Sequence, residues 1–397
     1  MFNNVLDKLA DYPFDRLRRL LSGIEPPTNQ NPIIMSLGEP QHEPPPFVVD
    51  VISRHANEWG KYPPVIGTPD LLNAVVEWLG NRYRLADGFV EPTRHVVAVN
   101  GTKEALYMVG DLCIPRNILG QRPAVLIPNP FYQVYMGAAV VRDAEPVYLP
   151  ATKTTGFLPD FQSLDPQLLA RCALVYLCSP ANPQGTIADI TYLREAVELA
   201  LRYDFVLAVD ECYAEIYDTL QPPGILQACQ DINGPLTNIL AFHSLSKRSS
   251  APGLRSGFVV GDPKLVAGLK MIRNYGGAAI PGPLMAASAA LWRDEPHVEN
   301  NRTKYRQKFD TADQILKNKF EYYRPMGGFF AWLNVGDGEA AAQKLWSDAG
   351  IRVIPGKYLS KKDSNGSSPG DEYIRIALVH DPDLISEALR RLINNLQ

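Results

Sequence analysis

From about Val48 to Leu284 this chain of 397 residues alternates short, wholly apolar runs with longer stretches of helical character. Ala124-Val125-Leu126-Ile127 and Asn238-Ile239-Leu240-Ala241-Phe242 are two such runs; His95 to Val99, Leu174 to Cys178 and Phe205 to Val209 are three more. A strand without polar alternation is buried on both faces, and such strands separated by helices build a mostly parallel sheet with helices on either side. The pattern therefore predicts an α/β fold. Ligands of open sheets of this kind gather beyond the carboxyl ends of the strands, so the residues just after each run carry the functional reading.

Those residues are polar and small. The first run leads into Asn100-Gly101-Thr102-Lys103, where a helix opening after a strand can present backbone amides and its dipole to a phosphate. Another leads into Ser179-Pro180-Ala181-Asn182-Pro183-Gln184-Gly185, which by itself is also ordinary turn chemistry. A third leads into Asp210-Glu211-Cys212-Tyr213, where Asp210 either faces a ligand in the crevice or caps a following helix. The last leads into His243-Ser244-Leu245-Ser246-Lys247-Arg248-Ser249-Ser250 and on to Arg255. A lysine amine attacks a carbonyl only when neutral, so Lys247 needs burial or nearby cations, which Arg248 and Arg255 are expected to supply. Ser244, Ser246 and Arg255 combine hydroxyls with a fixed fork of donors, a set suited to a phosphate dianion.

Composition narrows the class. With 46% apolar residues the chain can bury a large core, and its length suggests about two domains. A net charge of -4 and the absence of a basic run point away from nucleic acid. Arg16-Leu17-Arg18-Arg19 reads as the polar face of a first helix. No apolar stretch approaches the ~20 residues that span a bilayer, and Met1 to Leu20 lacks the character of a signal peptide; a cytoplasmic protein is expected. Cys113, Cys172, Cys178, Cys212 and Cys229 form no Cys-x-x-Cys pair, which argues against a disulfide framework or a metal site. No internal repeat is visible.

In this order and at this spacing the segments resemble the fold-type I pyridoxal-phosphate aminotransferases of class I/II. The resemblance runs from Ser36-Leu37-Gly38-Glu39-Pro40 to Tyr373-Ile374-Arg375-Ile376-Ala377-Leu378. It implies a large cofactor-binding domain over 48–284, and a small α+β domain in which 1–47 and 285–397 fold together, with strands and turns at Gly327 to Trp332 and Ile351 to Gly356. It implies pyridoxal 5'-phosphate as cofactor and Lys247 as the residue that joins it covalently and then carries the substrate's α-proton. Asp210 matches the partner of the pyridine nitrogen, Asn182 and Tyr213 the pair at the ring oxygen, and Tyr132 the aromatic that covers the ring. Gly101, Thr102, Lys103, Ser244, Ser246 and Arg255 match the phosphate site. Tyr62 matches a tyrosine that reaches the phosphate of a neighbouring subunit, which implies a homodimer with shared sites. Arg375 matches the two-pronged clamp on the substrate α-carboxylate, with Gly38 and Asn182 beside it.

Within the family the segments Tyr12 to Arg18, Asn129 to Tyr135, Asp210 to Tyr217 and His243 to Ser249 resemble the bacterial N-succinyldiaminopimelate aminotransferases of lysine biosynthesis. That implies ping-pong exchange between N-succinyl-LL-diaminopimelate and 2-oxoglutarate, with glutamate as the other amino acid. Alternatives are another amino-acid substrate, a pyridoxal-phosphate lyase on the same fold, or a binding module that has lost catalysis. A substrate with distant carboxylates calls for cationic and hydroxyl donors in the outer pocket, and Lys103, Arg16, Arg18 and Tyr275 are the candidates. Near Tyr275-Gly276-Gly277-Ala278 there is no arginine of the kind aspartate-specific relatives use, so strict aspartate specificity is not expected. Lys361 to Gly370 reads as a mobile surface tip, and Gln41 to Pro46 as a stiff connection near the site.

Overall fold

The computed structural model describes residues 4–9, 11–362 and 366–396. Seven strands form the main sheet in the spatial order Val96–Val99, Gly257–Gly261, Ile239–Ser244, Val206–Asp210, Cys172–Cys178, Ala124–Asn129 and Glu145–Pro150. Gly257–Gly261 is antiparallel to both of its neighbours, and every other pairing is parallel. Six strands are buried at every residue and only Glu145–Pro150, an edge strand, is not. This is why five of the six read as apolar runs in the sequence, Gly257–Gly261 being the one not read there: helices cover both faces and leave no side for polar alternation.

One face packs on Thr102–Cys113 and Gln133–Val141, through Leu106, Val109, Tyr135 and Met136. The other packs on Pro69–Tyr83, Ile190–Tyr203 and Gly282–Arg293, through Trp78, Leu193 and Trp292. A division of the chain at 284 falls inside Gly282–Arg293, whose buried Met285, Leu291 and Trp292 belong to the same core as Trp78 and Leu79.

A second core joins the two ends of the chain. Ile33–Ile34 pairs in parallel with Ile351–Arg352, and Ile354–Pro355, Tyr373–Ala377 and Phe330–Asn334 form a three-stranded antiparallel sheet. Ile33 and Met35 are buried in one cluster with Leu345, Ile376 and Leu389. The 21-residue helix Pro296–Leu316 feeds Tyr305 and Phe309 into that cluster, and nearer its start Arg302 reaches back to Glu215. Residues 363–365 of the Lys361 to Gly370 stretch lie outside the described residues, and beside them the buried Ser360 and Ser368 hydroxyls meet at 2.7 Å. Among the described residues no helix is long and apolar enough to cross a membrane.

Candidate active site

A cavity of about 630 Å³ is lined by three strand ends of the main sheet, Cys178, Asp210 and Ser244, and by Arg375 from the smaller sheet. Of the residues singled out from the sequence, Gly38, Thr102, Lys103, Tyr132, Asn182, Asp210, Tyr213, Ser244, Ser246, Lys247, Arg255 and Arg375 line it. Gly101 stands just behind Thr102. Tyr62 is fully exposed and outside the cavity.

Lys247 sits in the short turn Leu245–Arg248, capped by Ser244, whose hydroxyl accepts from the Ser246 N–H at 3.1 Å. Its Nζ donates to the Gly38 carbonyl at 2.5 Å and lies 5.2 Å from the centre of the Phe329 ring. Burial, assisted by Arg375 and Arg255 and opposed by Cys212 and Glu39, pulls the amine down to about 8 from 10.5. Arg248 does not supply the cation expected beside the amine. One residue along the turn it points into the helix Gly282–Arg293, donating to the carbonyls of Leu291 (2.6 Å) and Trp292 (3.4 Å) and pairing with Glu295 at 2.5 Å. It holds the loop and does not face the amine.

Asp210 is 3% exposed. It ends its strand in a turn and caps no helix: Oδ1 accepts from the Cys212 N–H at 3.3 Å and Oδ2 from the Tyr135 hydroxyl at 2.8 Å. Burial raises its pKa, against the opposing pull of Tyr135 and Cys212. His243 is turned toward Glu211, its Nε2 3.0 Å from a carboxylate oxygen. Tyr135 was not identified from the sequence, although it lies one helical turn beyond Tyr132, on the side facing the sheet. Cys178 and Cys212 both line the cavity beside Asp210, and burial raises both thiols, so they stay protonated there.

Arg375, 5% exposed, occupies the central strand of the smaller sheet. Nη1 donates to Asn182 Oδ1 at 3.2 Å, Nη2 to the Ser36 carbonyl at 2.9 Å, and Nε has no partner. The guanidinium stacks 4.2 Å above the Phe330 ring, and burial lowers it to about 10. Phe330 also explains Gly38: a methyl there would come 2.5 Å from the ring edge.

At the far end Gly101, with φ +78, opens the helix Thr102–Cys113. Arg255 donates to the Asn100 carbonyl at 3.0 Å and the Pro252 carbonyl at 2.8 Å, and a side chain at Gly101 would strike its guanidinium. The Ser244 and Ser246 hydroxyls stand 2.9 Å apart beside them. Helix-end amides, two hydroxyls and a guanidinium thus converge on one corner, an anion cradle that a Cβ would close.

The outer pocket differs from expectation. Lys103 lines it, with its ammonium 5.3 Å from the Tyr12 ring centre. Arg16 stacks 3.9 Å over Tyr358 and does not line the cavity, Arg18 pairs with Asp15 at the surface, and Tyr275 is exposed and outside the cavity. Tyr12, Phe14 and Leu359, not singled out from the sequence, supply the apolar wall.

The donor set suits one kind of group. A buried carboxylate without a counter-charge calls for a cationic ring nitrogen, the cradle for a phosphate, and the low-pKa amine for an aldehyde. Pyridoxal phosphate has all three features, and the sheet with its strand-end cavity is that of a fold-type I pyridoxal-phosphate enzyme. Residues 30–392 match the family described as aminotransferase class I and II. The chain superposes on an aminotransferase from Neisseria meningitidis with a TM-score of 0.94, 37% identity and full coverage of both chains. Aminotransferase AspB from Helicobacter pylori aligns with a TM-score of 0.88 and 35% identity over 97% of this chain and 98% of that one. An LL-diaminopimelate aminotransferase from Aquifex aeolicus is 29% identical over 99% of this chain and 98% of its own length. The tetracycline-pathway transaminase OxyQ of Streptomyces rimosus, named for 4-dedimethylamino-4-oxo-anhydrotetracycline, is 31% identical over 90% and 92%. The chain belongs to the class I and II aminotransferases. It is a pyridoxal-phosphate enzyme that moves an amino group from a donor to a 2-oxo acid.

Proposed function

We propose that this aminotransferase interconverts N-succinyl-LL-diaminopimelate and 2-oxoglutarate with N-succinyl-2-amino-6-oxopimelate and L-glutamate, a step of lysine biosynthesis. The observation that carries the site assignment is a pair of buried, uncompensated charges, Asp210 and Arg375, lining one cavity with the low-pKa amine of Lys247. Bound there, pyridoxal phosphate supplies an aldehyde that condenses with amines and a protonated ring that accepts electron density from the substrate α-carbon. Asp210 holds the proton on the ring nitrogen, Asn182 and Tyr213 orient the ring oxygen, and Tyr132 covers the ring. Gly101, Thr102, Lys103, Ser244, Ser246 and Arg255 anchor the phosphate. Arg375, with Asn182 and Gly38 alongside, grips the α-carboxylate in two-pronged fashion, so that the α-hydrogen meets the Lys247 amine. Lys247 then removes that proton and returns it on the cofactor side. Tyr62 completes the phosphate site of a partner subunit in a homodimer.

Substrate choice rests on the outer pocket, where Lys103 offers positive charge to a distal carboxylate. A second reading, LL-diaminopimelate itself, is favoured by the names of several relatives of 26–29% identity. Visible absorbance of the cofactor-loaded protein separates the two. The aldehyde-form band should be lost on adding N-succinyl-LL-diaminopimelate or glutamate. Loss with LL-diaminopimelate in place of the succinylated compound would favour the second reading, and loss with glutamate alone would discard both.

A further inference from the structure

The segment Ser36 to His42 touches both reactive cations: the Gly38 carbonyl takes the Lys247 amine, and the Ser36 carbonyl takes Arg375. No helix or strand includes these residues: backbone bonds of Met35 to Arg352 and Ala377 hold the chain just before them, and His42 holds their other end through its side chain. Lys308, 1% exposed in the long helix, donates to His42 Nε2 at 2.6 Å and to the Val379 carbonyl at 2.6 Å. Burial lowers Lys308 to about 8, and below that pH its ammonium only donates, so Nε2 accepts and the neutral ring carries its proton on Nδ1. That N–H donates to Asn301 Oδ1 at 2.7 Å. The Asn301 amide is thereby oriented with its NH₂ toward the Arg248 carbonyl (3.2 Å) and the Ser250 hydroxyl (2.9 Å), in the loop that carries Lys247. One buried ammonium sets the donor direction along the whole chain of bonds.

The same ring has an apolar contact with the site. His42 lies 4.9 Å from Tyr305, Tyr305 stacks on Phe329 at 5.6 Å, and Phe329 borders Lys247. The groups facing this cluster keep His42 an acceptor. Burial, Lys308 and Lys304 lower it to about 4, against Asn301 and Asp381, so it is neutral at pH 7.

We propose that His42, held between Lys308 and Asn301, is a positioning residue that fixes the Ser36 to His42 segment over Lys247 and Arg375 and so shapes the substrate-carboxylate site. Its kinetic consequence rests on the aminotransferase reading above; the tether itself does not. The test compares His42→Phe, which can neither accept nor donate these bonds, with His42→Gln, whose amide does both. In the holoenzyme, amide exchange across residues 36–42 should quicken by about tenfold or more in His42→Phe, because it reports local opening. KM for amino acids should rise roughly tenfold with a smaller change in kcat, as expected when a binding surface is displaced. Cofactor dissociation should change less than KM, since the chain of bonds reaches the Lys247 loop but does not touch Asp210 or Arg255. His42→Gln should restore both readouts. Asn301→Ala cuts the chain at its other end and should reproduce the exchange result if His42→Phe folds poorly. Unchanged exchange in both cut variants, or a Gln variant no better than Phe, overturns the proposal. A wild-type protein that transaminates nothing would instead overturn the functional reading, and the exchange comparison would still decide the tether.

Discussion

Glu215 and Asp210 are two buried carboxylates five residues apart, and their surroundings are opposite. Glu215 is gripped by Arg82 at 2.5 Å and Arg302 at 3.0 Å, tying the helix Pro69–Tyr83 to the helix Pro296–Leu316. Asp210 has a tyrosine hydroxyl and a backbone N–H, and no cation pairs with it among the described residues. Arg302 and Arg375 repeat the contrast on the cationic side, the first paired with Glu215 and Glu299, the second bonded only to neutral oxygens. A paired buried charge is architecture. A buried charge left without its counter-charge is a cost that a ligand of opposite sign removes, and it marks the site where burial alone does not.

The contrast can be broken by experiment, and the amine between the two uncompensated charges gives the largest effect. Lys247→Ala should lower turnover on the order of 10⁴-fold or more while the fold survives, because both the covalent and the proton-transfer roles are lost together; activity close to wild type would remove Lys247 from the chemistry. Next come the two arginines, which should behave as mirror images. Arg302→Ala should destabilise the protein by about 1.5–3 kcal/mol, since Glu215 loses one charged hydrogen-bond partner and keeps Arg82. Arg375→Ala should leave the thermal midpoint unchanged or raised but cut kcat/KM by roughly 10²-fold or more. If Arg375→Ala unfolds the protein as Arg302→Ala does, the distinction between the two regions fails.

The pH dependence of the apoprotein sharpens the same point. Lys247 binds its proton with a pKa of about 8 in the folded chain and 10.5 in its ordinary state. Between those values the unfolded chain holds more protons, so stability from this group rises with pH across the window and is lower below pH 8, by up to ~3 kcal/mol. Denaturant unfolding of wild type and Lys247→Met, compared from pH 7 to 10, should show the slope in the first and its loss in the second. Parallel curves would mean that the amine is not held in an unfavourable site.

Tyr135→Phe carries the smallest effect. It leaves the ring stacked on Tyr176 but removes the hydroxyl that lowers the Asp210 pKa, so Asp210 should become harder to ionise. Cofactor affinity should fall by about tenfold, in line with one hydrogen bond to a charged group. Titration of apoprotein with pyridoxal phosphate measures this, and equal affinity would show that Tyr135 only packs.

Much of the site was legible because its parts are local. An apolar run followed by Asp210, or by Ser244 to Lys247, needs only the strand period and the strand-end rule to be read, and the structure brings those residues to one cavity. Reading failed where direction was needed. Arg248 is next to Lys247 in sequence, yet the turn aims it at Leu291 and Glu295. Arg18 and Tyr275 have suitable chemistry and stand outside the pocket. Tyr135 was missed because its partner, Asp210, is 75 residues away.

By itself, then, the sequence determined the α/β class, the strand ends and the chemical groups available there, since periodicity and residue order are properties of neighbours along the chain. Only the tertiary structure decided which of those charges would be paired. The Gly38 carbonyl meets Lys247 across 209 residues and the Ser36 carbonyl meets Arg375 across 339. Distance and burial in space set the energy of a charge, and neither is written in any one segment.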